Sequence, residues 1–298
     1  MSAISHLCVK RSASGCSTPT ENENRSSGSY PTGEAQVAAR GLTTEQAAAW
    51  PPYSKVVIYK IRAPTETRAM DDFPVIEFRR YTLVEIDNAR EIFARYFETY
   101  FPEAFQQLGA LAVGQFFERE NESHFLWLRG FHSMDDRARI NAAFYYGPVW
   151  KEHRNTLNGL MIDSDDVLLL RPLGEHRTLI LPTVDAVKET GTPRGIALAQ
   201  IFPVSDIDAF ARDAESEFAR YRLQGVREAA VLATLDAPNN FPQLPVRTDG
   251  PFVVWIGLLE NEEARSRFQP LRANEFLRAE PEQIVLDPTP RSRLRWIA

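Results

Sequence analysis

Cysteine, long apolar runs and an excess of positive charge are what this sequence lacks. Only two of its 298 residues are cysteines, Cys8 and Cys16, so the chain beyond them has no disulfide framework, zinc finger or cysteine nucleophile. No apolar run approaches the roughly 18 residues that cross a bilayer. The formal charge is −6, whereas a general nucleic-acid binder needs a basic face. We therefore expect neither nucleic acid nor a membrane span.

Catalytic and cofactor motifs are absent as well. The sequence has no glycine-rich phosphate loop, no His-Glu-x-x-His pair, no nucleophile elbow and no Cys-x-x-Cys. His124, His132 and His153 lie on different predicted elements without metal-ligand spacing. The acidic run at 163–166 lacks the glycine and distal glutamate of a calcium loop, so it predicts a polar turn before a strand. We expect no metal and no nucleotide cofactor; haem held by a lone histidine is the arrangement left open.

What is present begins with a predicted disordered tail at residues 1–52. This segment is rich in Ser, Thr, Gly, Asn and Glu and buries too little apolar area to offset its ordering entropy. Lys10 and Arg11, with no acidic residue in the first 20, resemble a weak targeting signal. Acidic residues from Glu21 onward break that pattern. We expect a cytoplasmic protein, with a mitochondrial location as the alternative in a eukaryote.

The chain then alternates between strand and helix patterns in the order βαββαβ. A leading strand is predicted at 55–61. Apolar spacing predicts a helix over 86–108 that kinks at Pro102 and stops at Gly109. Ser133 is a predicted N-cap, and Pro148 begins a further helix. The strands of this first half are predicted at 75–83, 111–119, 124–131 and 167–173.

The same order recurs in the second half. LWLRGF matches VWIGLL, so Trp127 corresponds to Trp255. Asp206 is a predicted helix cap, and residues 261–279 are predicted to be helical with an interruption at Pro270. The strands of this half are predicted at 195–204, 226–235, 252–259 and 283–286, and a helix at 207–221.

A duplicated βαββαβ unit predicts an α+β fold. Each unit gives a four-stranded antiparallel sheet with both helices on one face, and the two open faces bury together. We predict tandem ferredoxin-like units forming an intramolecular dimeric α/β-barrel, an internal pseudo-dimer that leaves further homo-oligomerisation open. The predicted domains are 53–173, with the extra leading strand, and 194–298, joined by a linker at 174–193.

The first unit resembles the NIPSNAP family over roughly residues 74–173. The segments that carry the resemblance are IEFRRYTL, GQFF, LWLRGFHSMDDR, FYYGPVWKEHR and NGLMIDSDDVLLLRPL. That family belongs to the dimeric α/β-barrel group, which includes cofactor-free monooxygenases, haem-degrading enzymes, isomerases and ligand-binding proteins. Its own biochemical activity is poorly defined, so the resemblance implies a fold more than a function.

The candidate site lies on the first predicted strand and the second helical region. Period-two spacing places Glu77, Arg79 and Tyr81 on one face. Either these residues line a polar pocket, or Glu77 and Arg79 pair with each other or with Arg129 across the sheet. His153 is a candidate general base but is more typical of a packed histidine, because no acid is fixed beside it. The pocket candidates are Glu77, Arg79, Tyr81, Arg129, Tyr145, Trp150 and His153, with Arg137 nearby.

Two functions follow from this candidate pocket. The first is binding of a small apolar molecule, or an interaction role. The alternative is a cofactor-independent oxygenase or isomerase, which needs only a shaped, water-poor cavity with a few polar donors. Because small or apolar residues replace the first strand's polar side chains in the second copy, we expect any site to lie in the first half.

Overall fold

The computed structural model describes residues 73–174 and 193–297. The predicted tail, the predicted leading strand of the first unit and most of the linker lie outside these residues. The strands are β1 Val75–Leu83, β2 Leu111–Glu118, β3 His124–Phe131, β4 Met161–Pro172, β5 Ile196–Pro203, β6 Arg227–Thr234, β7 Phe252–Leu259 and β8 Glu282–Pro288. The helices are α1 Ala89–Tyr100, α2 Pro102–Leu108, α3 Met134–Tyr145, α4 Pro148–Asn158, α5 Ile207–Leu223 and α6 Glu262–Arg267. None of the helices in the described residues has the length and apolar character needed to span a membrane.

The eight strands close into an antiparallel barrel, which confirms the barrel predicted from the repeated pattern. Their order around it is β1-β3-β2-β8-β5-β7-β6-β4. The four strands of each half are therefore contiguous. Two seams join the halves: β2 pairs with β8 through Phe117 and Asp287, and β4 pairs with β6 through Arg171 and Ala233.

Alternation along the strands separates an inner core from two outer cores. Ile76 and Phe78 of β1 point into the barrel, where they share one apolar cluster with Ala199 of β5 and Ile256 of β7. The opposite strand faces are covered by helices, with α1 to α4 over the first half and α5 over the second. Both faces of the sheet are thus buried, and the candidate residues of β1 lie on its helix-covered face.

The predicted helix at 86–108 is two helices. α1 begins after Asn88, whose φ of 59° is left-handed, and α2 begins at Pro102. Proline lacks the N–H that an uninterrupted helix needs and is well suited to a first helical position. The predicted stop at Gly109 is confirmed, with φ at 99°. The predicted cap at Ser133 is confirmed too, since its hydroxyl accepts the N–H of Asp136 at 3.0 Å.

Two predictions of local structure are wrong. The acidic run at 163–166 is part of β4 rather than a turn; it follows β1 through register shifts near Thr82, because pairing with a neighbouring strand overrides local turn preference. Of the helix predicted at 261–279, only Glu262–Arg267 is helical, and the chain from there to β8 is irregular. Phe268, the C-cap of α6, has extended backbone and ends that helix before Pro270.

Candidate functional site

A buried ionic cluster lies between the first half's sheet and α3. Glu77 and Arg79 come from β1, and Arg129 lies directly opposite Glu77 on β3. Arg137, on the second turn of α3, reaches down onto the same carboxylate. All four side chains are at most 1% exposed. A charge this deeply buried is tolerated only when it is paired and hydrogen-bonded.

One carboxylate receives all three arginines. Oε2 of Glu77 accepts from Nη1 of Arg79 at 2.8 Å and from Nε of Arg129 at 2.6 Å. Its Oε1 accepts from Nε of Arg137 at 2.6 Å. Arg79 also donates from Nε to the Tyr81 hydroxyl at 2.9 Å. Glu77 thus pairs with Arg79 on its own strand and with Arg129 on the neighbouring strand. This is one of the two arrangements considered for these residues.

The pKa shifts follow from this crowding. Burial alone would raise the pKa of Glu77, but Arg129, Arg79 and Arg137 together hold it far below its usual value. Burial likewise opposes the charge on Arg79, but its Tyr81 and Glu77 neighbours raise its pKa. The pKa of Arg137 is lowered, mainly by burial and further by the two other arginines. The cluster therefore carries three cations against one anion.

Several buried polar atoms of this cluster have no hydrogen-bond partner among the described residues. They are Nη1 and Nη2 of Arg129, Nη2 of Arg137, the indole nitrogen of Trp127 and both amide atoms of Asn141. Asn141 is one helical turn beyond Arg137, so the two share a face of α3. A buried donor without a partner costs about 1–3 kcal/mol, so each of these atoms requires an explanation.

Aromatic rings surround the guanidinium of Arg129. Its central carbon is 5.2 Å from the Phe105 ring, 5.1 Å from Trp127, 5.3 Å from Phe131 and 5.9 Å from Tyr145. Cation–π attraction stabilises the charge, but N–H contacts with rings are weak substitutes for hydrogen bonds. Tyr145 is partly exposed as a residue, but its hydroxyl is buried, and this burial raises its pKa.

The second half supplies part of the cluster's rim. Nη1 of Arg137 donates to the side-chain oxygens of Asn239 and Asn240 at 3.0 and 2.9 Å, both in the loop that joins β6 to β7. Asn240 donates onward to the carbonyl of Met134 at the start of α3. Phe241 of the same loop stacks near Tyr145, with ring centres 6.0 Å apart. The site thus combines side chains from both halves.

Two predicted site residues lie outside the cluster. His153 on α4 bonds through Nδ1 to the Tyr96 hydroxyl at 2.7 Å and stacks on Tyr100 at 3.8 Å; its pKa is lowered by burial. Trp150 packs against Phe101 and Tyr145. The structure therefore brings together Glu77, Arg79, Tyr81, Arg129 and Tyr145, and it places His153 in a separate aromatic group.

No group of three or more His, Cys, Asp or Glu residues in the described part of the chain is arranged to hold a metal ion. His124 bonds to Glu118 at 2.7 Å, and His132 stacks on Phe73. With His153 on α4, the histidines of the first half are each engaged in a different local environment.

The second half lacks the ionic cluster at its matching positions. β5 and β7 pair in the same register as β1 and β3, since Gln200 opposes Trp255 as Arg79 opposes Trp127. The matching residues are Leu198 for Glu77, Gln200 for Arg79, Phe202 for Tyr81 and Gly257 for Arg129. The expectation that only small or apolar residues stand there is wrong at one position: Gln200 is polar and accepts from the Tyr221 hydroxyl at 2.8 Å.

Sequence reasoning missed the third arginine's role and the loop from the second half. Arg137 and Asn141 are four residues apart on a helix and therefore share one face. That spacing could have indicated that both side chains belong to the site. Asn239 and Asn240 carried no such signal, because they lie about 100 residues away in a long loop without periodicity.

Comparisons with known proteins found solved structures that are similar to this chain with TM-scores below 0.5. No protein-family model and no curated protein matches it. An anthrone oxidase-like protein is 12% identical, covering 73% of this chain and 92% of that one, with a TM-score of 0.47. A heme-binding protein from Thermus thermophilus is 12% identical, covering 76% and 94%, with a TM-score of 0.38. An uncharacterized NIPSNAP-like domain protein from Burkholderia xenovorans is 26% identical, covering 34% and 86%, with a TM-score of 0.30.

Proposed function

We propose that this chain is a NIPSNAP-like protein, built from two ferredoxin-like units, that binds a small molecule at the ionic cluster of its first half. The sequence segments given above support the family, and the strand order supports the duplicated unit. One observation carries the function: the cluster is present in one half only.

The two halves serve as controls for each other. The strand pairing that carries Glu77 and Arg129 in the first half carries Leu198 and Gly257 in the second. The fold therefore forms without the cluster. Replacing buried ionic groups with apolar ones of similar volume is often neutral or stabilising, so stability alone does not account for three buried arginines in the first half. Ligand binding supplies the missing reason.

Binding fits the geometry better than the oxygenase or isomerase alternative. Glu77, Arg79 and Arg129 are packed and hydrogen-bonded to one another, which leaves none of them as an unengaged base. His153, the candidate base, lies in the separate group with Tyr96. We therefore propose a binding role without turnover.

The test is a screen of small aromatic compounds, neutral and charged, against the full chain by thermal shift. We expect hits that protect β1, β3 and α3 from hydrogen exchange. Arg129→Met should abolish binding of those hits, whereas Gln200→Met, the matched change of a buried polar residue in the second half, should leave it intact. Hits that protect β5, β7 and α5 instead, or that bind Arg129→Met normally, would contradict the proposal.

A further inference from the structure

We infer that the ligand of the first-half cluster is an organic anion with an aromatic body, whose carboxylate binds between Arg129 and Arg137. This inference rests on the proposed ligand site and adds the chemical class of its ligand. It starts from charge: three guanidinium groups face a single carboxylate, Glu77. Two positive charges remain uncompensated inside the protein, and buried charges are normally paired.

The unpartnered atoms point to an anion with two oxygens. Arg129 and Arg137 each use Nε on Glu77, so their outer nitrogens extend beyond it. Both outer nitrogens of Arg129 and one of Arg137 have no partner among the described residues. A guanidinium presents parallel N–H groups that match a planar carboxylate in a bidentate arrangement. A carboxylate would satisfy these donors and neutralise one of the two charges.

The surroundings of Arg129 indicate the rest of the ligand. The Phe105, Phe131 and Tyr145 rings that surround its guanidinium form an apolar wall suited to a planar ring. The Asn141 amide, one turn from Arg137 and equally without a partner, offers one donor and one acceptor. A carboxylic acid on an aromatic ring, with a second polar substituent for Asn141, matches this set.

Entry of such a ligand would require the Tyr145 side chain to move. Tyr145 is partly exposed, and its ring centre lies 5.9 Å from the central carbon of the Arg129 guanidinium. The loop residue Phe241 stacks near the Tyr145 ring. Rotation of Tyr145 would replace one ring over the guanidinium with the ligand's ring.

The test compares benzoate with benzamide by isothermal titration calorimetry on the full chain. The two have nearly the same shape and differ in charge, so we expect benzoate, and more strongly salicylate, to bind while benzamide does not. Arg137→Gln should weaken benzoate binding by about 10- to 100-fold, the effect of losing a charge-assisted hydrogen bond. Arg139→Gln is the matched control, since that arginine is on the same helix but 61% exposed, and it should bind benzoate as the unmodified protein does.

Asn141→Leu provides a second variant that leaves the Glu77 contacts untouched. We expect it to fold and to lose the preference for salicylate over benzoate. Equal binding of benzamide and benzoate, or unchanged benzoate binding by Arg137→Gln, would overturn the inference. Neutral aromatic hits lost in Arg129→Met would then still support the proposed ligand site, so the two failures can be told apart.

Discussion

Glu77 is the residue on which the first half's outer core depends. Three buried guanidinium groups converge on its carboxylate, and removing one partner of a buried ion pair is more costly than replacing the whole pair. Loss of a single arginine should be less costly than loss of Glu77, because the Glu77 carboxylate keeps its hydrogen bonds to the two remaining arginines. The arrangement is thus asymmetric in its sensitivity to mutation.

Glu77→Gln should therefore destabilise the protein by about 3–5 kcal/mol, because it leaves three buried cations without an anion. Arg79→Met should cost only about 1 kcal/mol, because Glu77 retains Arg129 and Arg137. Urea unfolding of both variants, followed by circular dichroism, measures the two free energies. Equal losses would show that Arg79 is as essential to the packing as Glu77.

At the scale of elements, the C-terminal segment after β8 is tied to α1 by a buried carboxylate. Oε1 of Glu98 accepts from the Thr289 hydroxyl and from the backbone N–H of Arg291 at 2.9 Å. Burial raises the pKa of Glu98, although these two hydrogen bonds and the charge of Arg291 oppose the shift. The ionised form of Glu98 thus costs stability in the folded protein.

Glu98→Gln should be more stable than the unmodified protein near neutral pH and no more stable in acid. The pKa of Glu98 is higher in the folded protein than its value of 4.5 in the unfolded chain. Protonation of Glu98 therefore contributes stability that is fully present below pH 4.5 and is lost as the pH rises through the folded-state pKa. Glutamine keeps an oxygen for both hydrogen bonds and never ionises. Unfolding temperatures measured from about pH 4 to pH 8 should diverge as pH rises. A constant difference across that range would refute the assignment.

Regular elements were predictable and irregular ones were not. β1, β3 and β7 have the predicted bounds, because their apolar residues are bordered by clear turn signals. The region after α6 was predicted as helix but is irregular, since apolar spacing alone does not show where the helical hydrogen bonds end.

In the site, alternation along β1 predicted that Glu77, Arg79 and Tyr81 share a face. The contribution of Asn239 and Asn240 depends on how the two halves meet, which no local pattern encodes.

At the scale of the whole molecule, the inner core belongs to neither half alone. Ile76 and Phe78 of the first half pack in one cluster with Ala199 and Ile256 of the second. Each half separated from the other would expose an apolar sheet face and two unpaired edge strands, which favours aggregation.

Fragments 1–174 and 175–298 should therefore not give stable monomers when expressed separately, and they should associate when expressed together. Size-exclusion chromatography and the cooperativity of thermal unfolding measure both outcomes. The full chain with a protease site inserted at residues 175–192, cleaved after folding, is the matched control and should stay associated. A monomeric fragment with cooperative unfolding would show that the barrel is not needed for either half to fold.

The pairing of β2 with β8 also determines how late in synthesis the barrel can close. β8, the last of the eight strands to be made, pairs with β2, which leaves the ribosome more than a hundred residues earlier. At about 5–20 residues per second, the first half waits on the order of ten seconds for the strand that seals it. During this time the inner face of the first half and the edge of β2 remain uncovered. A pause in translation between the two strands would therefore prolong the period in which β2 could pair with a strand of another nascent chain.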